Sequence, residues 1–229
     1  SLLTSSPRSS DNGLTWGQPI RVEVSSPHGP IQLADGRLLH IGQRPHCSHT
    51  QPYNYNGPPA DSPYCVAIEQ SDDDGQSWRV ISTFPVPEDA QMLSFDEPHM
   101  VQTADGRLVA LFRDCNPPDQ LWQSESDDGG HTWQPVPGQP TGLRPSHMVR
   151  DARGRWLLSY GDEPGPNHMA DGAVYRYDPA TGTSTRVVGP YETAGGLVAG
   201  AVDLRTDDYY FGGWTTSGGT RYFSLYKVA

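Results

Sequence analysis

One eight-residue pattern occurs three times in the chain and constrains its fold more than any other feature. The pattern is Ser-x-Asp-x-Gly-x-(Thr/Ser)-Trp, and its copies are SSDNGLTW (9–16), SDDDGQSW (71–78) and SDDGGHTW (126–133). Ser and Asp side chains hydrogen-bond the backbone of tight turns, and Gly takes a conformation that a Cβ forbids. We interpret each copy, called a box below, as a turn between two strands that is stabilised by its own side chains. We expect its Trp to pack in the core.

A second repeated motif predicts pairs of strands, and its first two copies lie between successive boxes. Its copies are GPIQLADGRLLHIGQ (29–43), HMVQTADGRLVALFR (99–113) and HMVRDARGRWLLSYG (147–161), with a degenerate fourth, AVDLRTDDYYFGGWT (201–215). Asp-Gly supplies the positive φ of a tight or bulged hairpin turn. A hairpin, a third strand, a box and a short fourth strand make a unit of roughly 50 residues, the period of a propeller blade. The sequence predicts an all-β protein, a β-propeller of four-stranded antiparallel blades with about four blades' worth in one domain (1–229).

Composition and charge exclude several classes of function. The chain has 25 Gly and 22 Pro, which suits a turn-rich β protein, and its apolar runs are too short to span a membrane. A net charge of -11 leaves no basic face for nucleic acid. Cys47 and Cys65 flank one loop; they either pair, if the compartment is oxidising, or stay as free thiols. No signal peptide is visible, which leaves the location open, including a secreted or periplasmic one.

Chain direction within a four-stranded meander predicts which face of the disc carries function. The hairpin turns and the boxes fall on one face, and the remaining loops fall on the opposite rim. Propellers usually bind their ligands through such loops around the central channel. The rim segments are rich in His, Tyr, Asn, Asp and Arg: SSPH (25–28), QRPHCSHTQPYNYNGPPADSPY (43–64), SFDEP (94–98), RDCNPPDQ (113–120), LRPS (143–146) and GDEPGPNHMADG (161–172).

Two rim residues are the main catalytic candidates. Glu97 begins the first strand of one blade and Arg113 ends its second strand, so both meet the rim. Arg offers a two-pronged donor to a carboxylate, and Glu can act as a base or polarise a hydroxyl. The pair therefore favours recognition of an anionic sugar. The alternative is an ion pair that only braces the blade.

The boxes resemble the Asp-box (BNR) repeats of the sialidase family. SPHGPIQLADGRLLHIG is similar to the sialidase blade Gly-His-Gly-x-x-Leu-x-x-Gly-Arg-Leu, and DEPHMVQTADGRLVALFRD resembles the sialidase Asn-Glu-(Cys/Pro) segment with its following arginine. The resemblance implies a six-bladed propeller, of which this chain is a piece incomplete at its N-terminus. It also implies that Glu97 activates a tyrosine nucleophile and that Arg113 belongs to a trio gripping a sialic-acid carboxylate.

Further rim residues are candidates for substrate binding. His28 matches the family's His, whereas His99 and His147 share one register in successive blades, which also fits a packing role. His46, Cys47 and His49 lack a fourth ligand at zinc spacing, and the boxes lack the further carboxylates of a calcium loop, so we expect no metal and no cofactor. The proposed substrate-binding set is His28, Gln43, Arg44, Asp96, His99, Asp114, His147 and Asp162.

Two departures from the family pattern limit the functional prediction. The segment GDEPGPNHMADG (161–172) lacks the further arginine that the resemblance implies for the blade after Arg113. The segment GAVDL (200–204) has Ala201 where sialidases have the tyrosine nucleophile. Tyr160, Tyr191 and Tyr209 are possible replacements, and rim carboxylates could instead run an acid/base hydrolysis of a different glycoside. The leading hypothesis is a sialidase-like glycoside hydrolase acting on a glycan, with an acidic sugar as one candidate. The alternative is a carbohydrate-binding propeller that has lost its nucleophile. The sequence leaves the linkage and the oligomeric state open.

Overall fold

The structure, a computed structural model, has β-strands as its only regular elements in the part of the chain that it describes. That part comprises residues 4–45, 64–84, 95–114, 120–136, 147–151, 153–164, 170–178, 181, 183–191, 199–203, 205–217 and 220–228. The strands are β1 (Thr4–Ser6), β2 (Ile20–Val22), β3 (Ile31–Gln32), β4 (Leu38–Pro45), β5 (Tyr64–Ser71), β6 (Arg79–Thr83), β7 (Phe95–Gln102), β8 (Leu108–Asp114), β9 (Gln120–Ser126), β10 (Gln134–Val136), β11 (His147–Arg150), β12 (Trp156–Pro164), β13 (Ala170–Asp178), β14 (Thr183–Tyr191), β15 (Ala199–Asp203), β16 (Asp208–Ser217) and β17 (Thr220–Val228).

The strands form five antiparallel sheets in which neighbours in sequence are neighbours in space. Three sheets are four-stranded, with the orders β3-β4-β5-β6, β7-β8-β9-β10 and β11-β12-β13-β14. Strands β15, β16 and β17 form a three-stranded sheet, and β1 pairs with β2. This meander confirms the predicted all-β propeller with about four blades' worth of strands. Across the described ranges, no helix is long and apolar enough to cross a membrane.

The hairpin turns adopt the backbone that the Asp-Gly pattern predicts. Gly36, Gly106 and Gly154 have φ values of 92°, 93° and 74°. In the first turn, the Leu33 N–H donates to the Arg37 carbonyl at 2.8 Å and closes the loop. A positive φ strains any residue that carries a Cβ, which explains the glycine in each turn.

The boxes are held by hydrogen bonds within their own eight residues. In the second box, Ser71 Oγ accepts the Gly75 N–H at 2.8 Å, and Asp73 accepts from the Ser77 side chain at 2.6 Å and the Ser77 N–H at 2.8 Å. These bonds from Ser77 lower the pKa of Asp73 to about 2. The same contacts recur in the first and third boxes, which confirms that the box fastens a turn.

The apolar core lies between successive sheets. Val101 and Leu111 of one blade cluster with Met148, Leu158 and Tyr175 of the next, all of them buried. The next boundary repeats this arrangement, because a second cluster joins the blade of β11 to β14 with the sheet of β15 to β17. Side chains on the faces of each sheet therefore join the blades to one another.

The environment of the box tryptophans differs from the prediction that all three are core residues. Trp133 is 3% exposed, whereas Trp16 is 63% exposed. The first box joins β1 to β2, and that sheet has only two strands. The prediction is therefore right for Trp133, wrong for Trp16 and only partly right for Trp78, which is half-buried.

Candidate functional site

The first strands of three successive sheets lie side by side, and the rim ends of these strands form the candidate site. Strand β11 contacts β7 on one side and β15 on the other, and β7 also contacts β4, the second strand of the preceding blade. The boxes lie at the other end of the sheets, where a Cβ on Gly129 of the third box would stand 3.2 Å from the Arg37 guanidinium of a hairpin turn. The starts of β7 and β11 therefore belong to the rim opposite the boxes.

Glu97 lies on a β-bulge at the start of β7. Asp96 pairs with Arg113 and His99 pairs with Leu111, so two residues of β7 oppose one residue of β8. Glu97 has a φ of 47°, a left-handed conformation that is costly for a residue with a Cβ. Bulges and strained backbone are over-represented beside functional sites, where they re-aim a side chain.

The backbone brings Glu97 and Arg113 to the same end of the same blade. Arg113 lies opposite Asp96, one residue before Glu97, in the pairing of β7 with β8. The side chains of Arg113, Asp96, Asp114 and Asp162 lie outside the described residues. Their predicted roles, and the alternative of a bracing ion pair, stay predictions.

Three of the candidate histidines form a cluster, called the histidine triad below. The ring centroids of His28 and His99 are 5.1 Å apart, those of His28 and His147 are 5.4 Å apart, and those of His99 and His147 are 4.6 Å apart. His99 and His147 stack at 25° between ring planes. Each histidine comes from a different blade, so the triad joins three successive blades at the rim end of their first strands.

Backbone hydrogen bonds fix the tautomers of two members of the triad. His99 Nδ1 accepts the Met148 N–H at 3.0 Å, and His147 Nδ1 accepts the Gly200 N–H at 3.2 Å. Because an accepting Nδ1 carries a lone pair, Nε2 carries the proton of each neutral ring. A protonated Nε2 cannot ligate a metal. Consistent with this, no group of three His, Cys, Asp or Glu residues within the described ranges is arranged to hold a metal ion.

Burial keeps the triad neutral. It lowers the pKa of His28 to about 3 and that of His147 to about 4, and it lowers the pKa of His99 well below its usual value. A charged imidazole loses its hydration on burial, and like charges in neighbouring rings add repulsion. The triad therefore offers uncharged imidazoles at neutral pH.

The segment that carries His28 is hydrogen-bonded to β7, the strand that carries Glu97. Ser26 Oγ donates to the Pro98 carbonyl at 3.0 Å and accepts the His28 N–H at 3.1 Å. In the described part of the chain, neither ring nitrogen of His28 has a hydrogen-bond partner, and both are shielded from solvent. No separate sequence signal identified Ser26. Its hydrogen bonds place His28 beside the strand that carries Glu97.

Gln43 and Arg44 end the second strand of the preceding blade. The Gln43 backbone exchanges two 2.8 Å hydrogen bonds with Ser25, and Arg44 lies 3.8 Å from the carboxylate of Glu23. Both residues therefore stand beside the segment that leads to His28. Their contact with a substrate stays a prediction.

Of the three tyrosines considered as replacement nucleophiles, Tyr209 is in the core. It is 3% exposed, clusters with Leu157, Val174 and Phe211, and burial raises its pKa to about 12. A tyrosine in that state is a poor nucleophile. The side chains of Tyr160 and Tyr191 lie outside the described residues.

The model of the BNR repeat-like domain family matches residues 3–168 of the chain. Among curated proteins, the chain is similar to a xyloglucanase of Acetivibrio thermocellus. The two are 29% identical over 201 residues, which cover 76% of this chain and 21% of the xyloglucanase. The chain therefore spans about a fifth of the length of that relative.

Two solved structures share the fold of the chain. A protein of unknown function from Dyadobacter fermentans gives a TM-score of 0.74 at 19% identity, over 97% of this chain and 63% of that one. The Hadza microbial sialidase gives a TM-score of 0.65 at 18% identity, over 97% of this chain and 49% of that one. These similarities show the sialidase-like propeller fold.

Proposed function

The chain belongs to the BNR repeat-like domain family, and on this premise we propose that it is the propeller of a glycoside hydrolase that cleaves a glycan at the rim opposite the boxes. The observation that carries the proposal is the strained backbone of Glu97 at the rim. A half-buried residue with a carboxylate, on a bulge at a φ of 47° and on the same strand as His99, has the position and the strain expected of a functional group.

In this proposal Glu97 acts as the general acid or base of hydrolysis. Glycosidases of the common type use two carboxyl groups on either side of the scissile bond. The second is proposed to come from Asp96, Asp114 or Asp162, which lie at or near the rim ends of β7, β8 and β12. Arg113 is proposed to orient the sugar, because its planar guanidinium forms paired hydrogen bonds.

An uncharged sugar is the better-supported substrate. The similar protein from Acetivibrio thermocellus is named a xyloglucanase, and xyloglucan carries no charge. Among the described rim groups, the histidines are kept neutral and Arg44 lies 3.8 Å from Glu23. The net charge of -11 also disfavours a polyanionic glycan. An acidic sugar remains the competing substrate and depends on Arg113.

Glycan hydrolysis by the wild-type chain and by Glu97→Gln tests the proposal. We expect sugar release from xyloglucan oligosaccharides or aryl glycosides, at least 100-fold slower in Glu97→Gln, since one general acid or base contributes about 10²–10⁴-fold. Asp127→Asn, on the box face, is the matched control and should keep full activity. Equal rates for Glu97→Gln and the wild type would rule out Glu97 as the catalytic group. Preference for sialyllactose would favour the acidic sugar.

A second candidate is carbohydrate binding without turnover. Its supporting observations are that Ala201 is exposed on β15, where the sialidase pattern has tyrosine, and that Tyr209 is buried. Saturable binding of glycans on an array, with no sugar released in the hydrolysis assay, would select this function. In that case Glu97→Gln would weaken glycan binding, and there would be no hydrolysis rate for it to lower.

A further inference from the structure

We propose that the histidine triad is an acid-sensitive seam: His99 and His147 each join their own blade to the next through Nδ1, and a proton on Nδ1 separates the blades at the rim. This role is independent of the proposed function, because it concerns the joining of the blades. It follows from the hydrogen bonds of the two imidazoles to Met148 and Gly200.

The two hydrogen bonds cross successive blade boundaries in the same way. His99 lies on the first strand of its blade, just after the bulge, and accepts the N–H of Met148, the second residue of β11. His147, the first residue of β11, accepts the N–H of Gly200, the second residue of β15. At both boundaries, an imidazole therefore satisfies a backbone donor at the start of the next blade, and this imidazole is buried in His99 and half-buried in His147.

Protonation of Nδ1 breaks these hydrogen bonds and also brings positive charges close together. An imidazolium donates from both ring nitrogens, so a protonated Nδ1 would face the Met148 or Gly200 N–H donor against donor. It would also place positive charges on rings whose centroids are only 4.6–5.4 Å apart. Because His28 and His99 are buried and His147 is half-buried, water relieves these effects poorly, and parting of the blades at the rim accommodates the proton.

The charges that act on His99 add to the cost of protonating it. The groups whose charges act on His99 are His28, His147 and His40, and all of them oppose its protonation. Of the described carboxylates near the rim, Glu97 lies two residues before His99 on the same strand, and Glu23 lies near Arg44 at the end of β4. Strand β15 contributes Ala199 and Gly200 next to His147, and neither is charged.

The sign of the pH effect follows from proton linkage. Histidine titrates near 6.5 in the unfolded chain, and burial lowers the pKa of His147 to about 4 in the folded protein. In that window the unfolded chain binds more protons, so stability is complete above about pH 6.5 and falls as the pH falls toward 4. Within this window, each such histidine makes the equilibrium constant for unfolding rise about tenfold for every unit by which the pH falls.

Urea unfolding between pH 7.5 and 4.5 tests the seam. The measured quantity is the slope of the logarithm of the unfolding constant against pH. His99→Asn and His147→Asn keep an acceptor oxygen near the place of Nδ1 but cannot be protonated. We expect each variant to lower the slope by about one proton below pH 6. The exposed His131 is the matched control, and His131→Asn should leave the slope unchanged. An unchanged slope in both seam variants would overturn the proposal.

Ring ¹⁵N NMR of the wild-type protein gives a test that does not depend on folded variants. We expect His99 and His147 to be Nε2–H tautomers at pH 7.5 and to remain neutral in the folded protein at pH 5. An Nδ1–H tautomer, or titration of either folded-state ring near pH 6.5, would contradict the seam. Neither measurement involves a glycan, so failure of the proposed hydrolase function leaves this test intact.

Discussion

Phe84 and Trp133 pack against each other across the boundary between two blades, with their ring centroids 4.5 Å apart. Trp133 Nε1 also donates to the Gly130 carbonyl at 3.0 Å, so the indole is both buried and hydrogen-bonded. Trp16 holds the same place in the first box and is 63% exposed. The neighbouring sheets, rather than the motif, therefore decide how much a box tryptophan contributes.

Replacing Trp133 should be far more damaging than replacing Trp16. Removal of a buried tryptophan costs about 3–5 kcal/mol through lost burial and a residual cavity. We expect Trp133→Ala to lower the free energy of unfolding by about that amount and Trp16→Ala to change it by less than about 1 kcal/mol. Urea denaturation measures both. Similar losses in the two variants would show that Trp16 is buried in solution.

Asp128 should matter to stability and its neighbour Asp127 should not. Asp128 accepts hydrogen bonds from the Ser126 hydroxyl, the His131 and Thr132 N–H groups and the Thr132 hydroxyl, and these bonds lower its pKa. Because the turn is exposed, we expect Asp128→Ala to cost only about 1 kcal/mol. Asp127→Ala should have no measurable effect. Thermal unfolding at pH 7 compares them, and equal melting temperatures would contradict the fastening role.

The protein should be less stable with alanine at position 97 than with glycine. Both substitutions remove the carboxylate, but only glycine accepts a φ of 47° without strain. We expect Glu97→Gly to be more stable than Glu97→Ala by about 1 kcal/mol, measured by urea denaturation. Equal stability would mean that the backbone at the bulge relaxes out of the left-handed region in solution.

Position 42 should not tolerate a side chain in place of glycine, whereas position 29 should tolerate one. A Cβ at Gly42 would stand 2.6 Å from the Ser25 carbonyl oxygen, while a Cβ at Gly29 would meet nothing within 4 Å. We expect Gly42→Ala to cost about 2 kcal/mol, because Ser25 is bonded to Gln43 and cannot move alone. Gly29→Ala should stay within about 0.5 kcal/mol of the wild type. Melting temperatures of the two variants test this, and a stable Gly42→Ala would exclude the close approach.

The repeated turns were predictable because their causes are local. Asp73 contacts Ser71 and Ser77 within one box, and Gly106 needs only its own φ to close a hairpin. A sequence displays such relationships directly. The order of strands followed from the same repeats, and it was enough to separate the box face from the rim.

The candidate site was only partly predictable because it joins residues from different blades. The shared register of His99 and His147 was visible, but His28 lies one residue further from its hairpin turn than they do from theirs, which hid the third member of the triad. The left-handed backbone at Glu97 also left no mark, since glutamate is an unusual residue there. Contacts between blades, unlike those within a turn, depend on packing that no single segment encodes.

Each box completes its hydrogen bonds inside one short stretch of chain, and this bears on the kinetics of folding. Contacts between nearby residues form early, since little chain entropy is lost in closing a small loop. The turns between β5 and β6 and between β9 and β10 can therefore form before the sheets dock, and assembly can proceed one unit at a time along the chain.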